Sequence, residues 1–597
     1  MCGFVCLFND NGKKPSVPGA ALLRMQRRGP DSEGHWIDDY AFLGHRRLSI
    51  IDLDTRASQP MSSACGRYVI VFNGEIYNFV ELRNELISLG VVFFTKCDTE
   101  VILNLFIRHG ESMLGRLRGM FAFVVWDKVK RKAFAARDPY GIKPLYFSKI
   151  QHGVAIASQV KALLATGLVQ DDLNPIGWAG FWMLGSVPEP HTVYRDIVAL
   201  RAGHCMWIEK GRIGLQRHWN DIGDIWRNAS LIKKVSISKD ELKSLVRKAV
   251  FESVHCHLVS DVPVGIFLSG GIDSSVISAL TCELGARSQI GITIAFEEYK
   301  NRKNDEAAPA ARVARYYGLD HVVRTVDRAE FFADLPRIFD AMDQPSIDGI
   351  NTWYASKAAK EQGLKVVLSG IGGDELFFGY DSFRSLPPLM RASRALFSVP
   401  HLPKLANLAA SVKARISRNR RWAHSVNWLA QGVEGAWWLR RSAMSPDEAK
   451  AAMGSQFAGA LCGFSPEGWI HDMTGPLAED ISLALAQIES TVYLRNQLLR
   501  DSDWASMDHG VEVRAPLVDA YLLKQVETIL PLFPRYHGKA LLTNIAVKSL
   551  PPDIINKRKT GFNIPVLKWL GEMRKCEGIR LDRHYWMSAV SEQFYVG

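Results

Sequence analysis

The sequence predicts a mixed α/β protein of two folding units followed by a helical tail. Three observations carry that expectation. Residues 1 to about 205 are rich in short apolar strands, from about 237 strands alternate with helices, and beyond 383 the pattern is mostly helical. The 597 residues are too many for a single small core. With 47% apolar and 23% charged residues, the composition excludes a fibrous or largely disordered chain. No apolar run is long enough for a bilayer-spanning helix. Met1 is followed by Cys2-Gly3-Phe4 rather than by a basic and then an apolar stretch, which argues against a cleaved secretory signal. The nine cysteines include no C-x-x-C pair and no repeated spacing, as expected for a reducing, cytoplasmic setting.

In the first unit, Tyr68 to Phe72 reads as a strand stopped by the turn dipeptide Asn73-Gly74. Met120 to Trp126 reads as a buried strand ended by Asp127-Lys128. Two stacked β-layers with flanking helices follow. Residues 206–236 are polar and irregular and read as a linker, dividing the chain into 1–205, 206–236 and 237–597. In the second unit Lys239 to Leu258 is a helix, Val264 to Leu268 a buried strand, and Ile272 to Leu284 a helix after a glycine turn. Ile290 to Phe296 is a strand, Ala307 to Tyr317 a helix and Lys365 to Leu368 a third strand. Strands of this kind, separated by helices, predict a parallel sheet.

The net charge of +11 is concentrated. Between Arg384 and Arg441 there are eleven Lys or Arg and one acidic residue, Glu434, together with Trp422, Trp428, Trp437 and Trp438. Two readings stand side by side: a solvated helical face with tryptophans packed inward, or a contact for a membrane surface or an anionic glycan.

The chemistry starts at Cys2. If Met1 is removed, the thiol and a free α-amine share one residue, and an amine with a pKa of roughly 7.7–8.0 can take the thiol proton without a histidine. Arg28-Gly29-Pro30-Asp31 reads as a turn. Arg47, in Arg47-Leu48-Ser49-Ile50-Ile51-Asp52, suits a bidentate grip on a carboxylate. Asn73-Gly74-Glu75-Ile76-Tyr77-Asn78 offers an amide and a bare glycine N–H for an oxyanion. In Cys97-Asp98-Thr99-Glu100 a carboxylate can meet an ammonium group. A thiol for an amide, an arginine for a carboxylate and an aspartate for an amine describe a glutamine site. In the second unit, Ser269-Gly270-Gly271-Ile272-Asp273-Ser274-Ser275 follows a strand and opens a helix, an anion nest with a carboxylate for Mg²⁺. Leu368-Ser369-Gly370-Ile371-Gly372-Gly373-Asp374-Glu375 follows another strand and offers a second carboxylate. Lys557-Arg558-Lys559-Thr560-Gly561-Phe562 offers Lys559 as neutraliser of phosphate charge.

The order Cys2-Gly3, RGPD, RLSIID, NGEIYN and DTE resembles the glutaminase domain of class II glutamine amidotransferases, over about residues 1–200. The SGGxDSS loop resembles that of ATP-pyrophosphatases. With SDVPVG at 260–265 and EVRAPL at 512–517, nearly the whole chain resembles glutamine-hydrolysing asparagine synthetases. The resemblance implies an αββα N-terminal-nucleophile domain and a parallel-sheet ATP-pyrophosphatase domain joined by an ammonia channel. It implies Cys2 as nucleophile, Asn73 and Gly74 as oxyanion donors, and Arg47, Ile50, Ile51, Glu75 and Asp98 around glutamine. It implies Leu268, Ser269, Gly270, Gly271, Asp273, Ser274, Ser275, Ile294, Ser369 and Gly370 at ATP, and Asp273 and Asp374 on Mg²⁺. Glutamine, ATP and a carboxylate acceptor are the partners, a homodimer is allowed, and no nucleic acid is expected. Within this resemblance Ile371 replaces a frequent glutamate and Gln159 a usual glutamate, His257 stands where arginine is common, and 343–348 and 493–507 differ near the acceptor. Aspartate is the acceptor the resemblance implies, and these departures, which cluster where acceptor and ammonia would meet, raise a uronic acid sugar of surface-polysaccharide synthesis as the alternative. A tRNA-modifying thiolase, a β-lactam-forming synthetase, a phosphoribosyl-transferring amidotransferase and an inactive scaffold each fail to account for both the Cys2 set and the SGGxDSS loop.

Overall fold

The computed structural model describes residues 2–233, 236–285, 289–300, 302, 304–417, 421–454, 458–535, 538–557, 564–573 and 583–595. Its first unit consists of two six-stranded sheets. One runs, in spatial order, through Val198–Ala199, Tyr146–Ile150, Gly153–Ala157, Gly3–Asn9, Ala41–Arg47 and Ser32–Ile37. The other runs through Arg212–His218, His204–Glu209, Lys132–Arg137, Gly119–Asp127, Tyr68–Ile76 and Met61–Ser62. All pairs within both sheets are antiparallel. The alternating side chains Phe4, Cys6 and Phe8 pack with Val69, Val71, Ala122 and Val124 to form the layer between them. Cys2 immediately precedes the strand Gly3–Asn9, so the fold delivers the chain start to a sheet end.

Two expectations are corrected here. Asn73-Gly74 does not end its strand. The strand runs Tyr68–Ile76, with Asn73 opposite Ala122 and Gly74 opposite Phe121. The glycine is required by close approach instead, since a Cβ there would lie 2.1 Å from the Met120 carbonyl oxygen. The stretch read as a linker carries regular structure between 206 and Ser230. It supplies part of His204–Glu209, the strand Arg212–His218 and the helix Ile222–Ser230. Arg212–His218 lies at a sheet edge with most of its residues exposed, which is why its sequence reads as polar and irregular.

The second unit is built on a five-stranded parallel sheet in the order Asp320–Val326, Ile290–Phe296, Val264–Phe267, Val366–Leu368, Glu512–Arg514. In chain order this is 3-2-1-4-5, so the strand direction of travel reverses between Val264–Phe267 and Val366–Leu368. The crevice outside the carboxyl ends of those two strands is where such sheets bind ligands. Both glycine-rich loops emerge there. Past residue 381 the chain is mostly helical, apart from the strand Glu512–Arg514. Ile481–Ile488, Glu489–Leu499 and Arg500–Met507 follow one another without a break, the middle stretch being π-helical.

The two units share a core. Val366 and Met507 of the second pack into the apolar cluster of Leu48, Ile50, Ile70 and Phe72 of the first. Arg514, fully buried, donates to Glu512, to Glu75 across the interface at 2.8 Å, and to the carbonyls of His257 and Val259. Arg118 similarly reaches Asp519 and Glu252.

Candidate active site

The expected glutamine residues converge at the end of the first sheet. The Cys2 N–H donates to Asn73 Oδ1 at 3.1 Å, so an amine at this nitrogen would be held beside the thiol. Burial pushes the Cys2 thiol up, while nearby positive charge, including Arg47, and the Leu48 N–H pull it back. Asn73 is completely buried and its Nδ2 has no acceptor. A buried amide donor without a partner is costly unless a ligand oxygen completes it, as an oxyanion would. Arg47 ends the strand Ala41–Arg47. Its guanidinium holds the carbonyls of Ile51, Asp52 and Asp54, and so shapes the loop that carries Ile50 and Ile51. Asp98, buried at the start of the helix Asp98–His109, accepts from the Ile76 N–H at 3.1 Å. Burial pushes its carboxyl up to about 6. Burial and the nearby Asp98 charge also hold Glu75 above the ordinary carboxylate range.

The expected nucleotide residues gather at the crevice of the parallel sheet. The loop is tied internally, with Ser269 Oγ 3.0 Å from Ser274 Oγ and 3.3 Å from the Gly271 N–H. Gly270 has φ +63° and backs closely onto Pro309 and Ala310. The helix Ile272–Glu283 begins at the loop, with Asp273 in its first turn. Ser274 and Ser275 are buried within that helix. Leu268 donates its N–H to Ile292, next to the buried Ile294. Ser369 donates its N–H to the Arg514 carbonyl at 2.8 Å, fixing the second loop against the neighbouring strand. A Cβ on Gly370 would fall 2.9 Å from the Asp273 Cβ, so the two loops touch.

Lys539, which the sequence reading missed, lies between the two expected metal ligands. Its ammonium bonds Asp273 and stands 3.0 Å from Asp374 Oδ1. Burial lowers its pKa, but the two carboxylates outweigh this and hold it above the ordinary lysine range. Among the described residues no group of three or more His, Cys, Asp or Glu is placed to hold a metal ion. Two carboxylates already holding a cation between them fit a hard divalent ion that takes its remaining ligands from phosphate and water. Lys559 lies outside the described residues.

Beside this crevice is a buried polar network. Tyr380 donates to Glu375 at 2.6 Å, and Arg441 lies over the rings of Tyr380 and Tyr493 while forking onto Glu489. Burial pushes Glu375 up to about 7 and Asp501 up to about 7.

At the seam between the units is a small cavity walled by Lys143 of the first unit and by Ile371, Ser502, Asp503 and Ser506 of the second. Asp503 accepts a bidentate pair from Arg28, at 2.6 and 3.2 Å, and both residues are almost wholly buried. Arg28 Nε in turn donates to the Cys2 carbonyl at 3.2 Å. Cys2 is thus fixed on one side by Asn73 and on the other by an arginine anchored in the second unit. Lys143 Nζ is buried and lies 3.7 Å from Asp503 Oδ1.

A glutamine-type site and a nucleotide-type site on one chain match two family models. Residues 1–219 match a glutamine amidotransferase domain, and residues 245–594 match asparagine synthase. The chain belongs to the asparagine synthase family. Asparagine synthetase [glutamine-hydrolyzing] 1 of Bacillus subtilis is 31% identical, over 96% of this chain and 88% of its own length. A putative asparagine synthetase [glutamine-hydrolyzing] of Mycobacterium bovis is 34% identical over the same shares. Asparagine synthetase B [glutamine-hydrolyzing] of Escherichia coli is 34% identical over 61% of each chain. The asparagine synthase match begins at 245, inside the helix Lys239–His257, and the amidotransferase match runs to 219, beyond the expected boundary at 205.

Proposed function

We propose that the chain is a carbon–nitrogen ligase that amidates aspartate to asparagine with glutamine as nitrogen donor and ATP as activator. The observation that carries this reading is that one chain assembles both sites, Cys2 with Asn73 and Asp273 with Asp374 and Lys539, and ties Cys2 through Arg28 to Asp503 of the second unit. The name shared by the relatives favours aspartate over the sugar acid.

With Met1 removed, the Cys2 amine takes the thiol proton and the thiolate attacks the glutamine amide carbon. Asn73 Nδ2 and the Gly74 N–H receive the developing oxyanion. Ammonia leaves, and water releases glutamate from the thioester. Asp98 holds the substrate's α-ammonium, and the Arg47-shaped loop with Ile50, Ile51 and Glu75 surrounds the rest. In the second unit, Ser269–Ser275 cradles the phosphates beside Leu268, Ile294, Ser369 and Gly370. Mg²⁺, held by Asp273 and Asp374, would supply charge neutralisation on pyrophosphate as it departs. Lys539 lies within reach of the same phosphates. The acceptor carboxylate displaces pyrophosphate to give an acyl-adenylate. Ammonia arriving past Lys143 and Ile371 displaces AMP to give the amide. We read the two units, matched over 1–219 and 245–594, as the two functional domains. A cytoplasmic setting fits the eight described cysteines, all unpaired. No described helix is long and apolar enough to cross a membrane.

The deciding experiment supplies glutamine, ATP, Mg²⁺ and aspartate and follows asparagine, AMP and pyrophosphate. Stoichiometric asparagine and AMP are expected, and glutamine hydrolysis without either product would refute the assignment.

Asp98 also sets a pH dependence. Its carboxyl, at about 6 in the free protein, must be ionised to hold an ammonium group. The charged form prevails above that pH and is lost below it. Accordingly kcat/KM for glutamine should fall about tenfold per unit as pH drops below 6. Asp98→Asn should be weak throughout and should lack this acid limb.

A further inference from the structure

The helix Leu402–Ser417 is inverted relative to an ordinary surface helix. Leu405, Leu408, Val412 and Ile416 are spaced to share one face, and all are exposed, at 63%, 65%, 49% and 80%. Leu402, at 39%, extends the same stripe. The opposite face carries small or polar residues, with Ala410 buried and Ala406 and Asn407 half-buried. An apolar stripe turned outward over the full length of a helix needs a cover.

Charge indicates which cover. Lys404 and Lys413 are exposed and fall on opposite flanks of the stripe, and Lys413 Nζ lies over the Trp422 ring. The preceding helix, Ser382–Phe397, exposes Arg384, Arg391 and Arg394. No Asp or Glu occurs between Asp381 and Glu434. A second copy of the chain packed face to face would set these cations against each other. A surface that is apolar within and anionic at its rim satisfies both features. Sixteen residues make a helix about 24 Å long, shorter than the hydrocarbon thickness of a bilayer and suited to lying in its surface plane.

We propose that the helix Leu402–Ser417 docks the enzyme peripherally on an anionic lipid bilayer. Leu405, Leu408, Val412 and Ile416 enter the headgroup–acyl boundary. Lys404 extends along the stripe edge to lipid phosphates, the arrangement long cationic side chains adopt at such boundaries. Neither contribution alone anchors firmly, so binding should need both.

The test is sedimentation of the full-length protein with phosphatidylcholine vesicles, with and without phosphatidylserine, at low and high salt. The native chain should bind the phosphatidylserine vesicles and be released by salt. L405S/L408S/V412S should lower the partition coefficient at least about tenfold in both lipids. R391Q/K404Q should lower it about tenfold on phosphatidylserine alone. All five positions are exposed, and unchanged amide synthesis in vesicle-free solution would confirm intact folding. Absence of native binding, or equal binding by the variants, would overturn the proposal. So would a concentration-dependent oligomer that the triple variant dissociates without any vesicle binding, since a second copy would then be the cover.

Discussion

Lys539→Met is expected to reduce ATP–pyrophosphate exchange and amide synthesis about 10²- to 10³-fold with either glutamine or ammonia as nitrogen source, while glutamine hydrolysis at Cys2 survives. The ammonium lies between Asp273 and Asp374 at the mouth of the SGGxDSS loop, where negative charge accumulates when a phosphoanhydride bond breaks. A half-buried cation fixed by two carboxylates needs little reorganisation to stabilise that charge. Methionine keeps the stem's packing and removes the charge. Lys539→Arg restores the charge on a broader group, so partial recovery of exchange should follow. Near-native exchange by the methionine variant would show that the lysine serves only to neutralise the two aspartates until substrate arrives.

Asp503→Asn should produce the opposite division. Asp503 belongs to the second unit and lies on the wall of the cavity at the seam, yet its bidentate partner Arg28 holds the Cys2 carbonyl. An asparagine can accept only one of the two guanidinium bonds in the same way and leaves the buried Arg28 charge uncompensated. A shift of the nucleophile on the ångström scale can cost about 10²-fold in rate. The kcat for glutamine hydrolysis should therefore fall by up to that factor, with KM for glutamine changed little because Asp98 and the Arg47-shaped loop are untouched. Ammonia-dependent synthesis should persist, and Asp503→Glu should recover part of the loss. An equal fall in both activities would mean that the pair only stabilises the fold.

What the sequence reveals depends on how local the signal is. Cys2, the RGPD turn and the SGGxDSS loop are contiguous, and each brings its own glycines and polar groups, so their positions could be read directly. The strands Val264–Phe267 and Ile290–Phe296 were equally plain, being buried and flanked by helices. Asp320–Val326 was missed because it is a half-exposed edge strand with Asp320, His321 and Arg324 breaking its apolar text. Glu512–Arg514 was missed because two of its three residues are charged. They are buried only because Arg514 finds Glu512 and a glutamate 439 positions away. Lys539 and the Arg28–Asp503 pair are illegible for the same reason, since their meaning lies in partners brought close by the fold. Arg28 and Asp503 are 475 positions apart.

The completion of the first unit's apolar cluster by Val366 and Met507 bears on how such enzymes can be recombined. Transplanting residues 1–219 onto a different synthetase body would import a hollow where these two side chains belong, together with orphaned polar groups at Arg28, Glu75 and Arg118. A workable graft must bring along complementary residues at 366, 503, 507, 514 and 519. The seam between nitrogen release and nitrogen use is therefore inherited as a matched set, and exchange of one half alone is penalised before catalysis is tested.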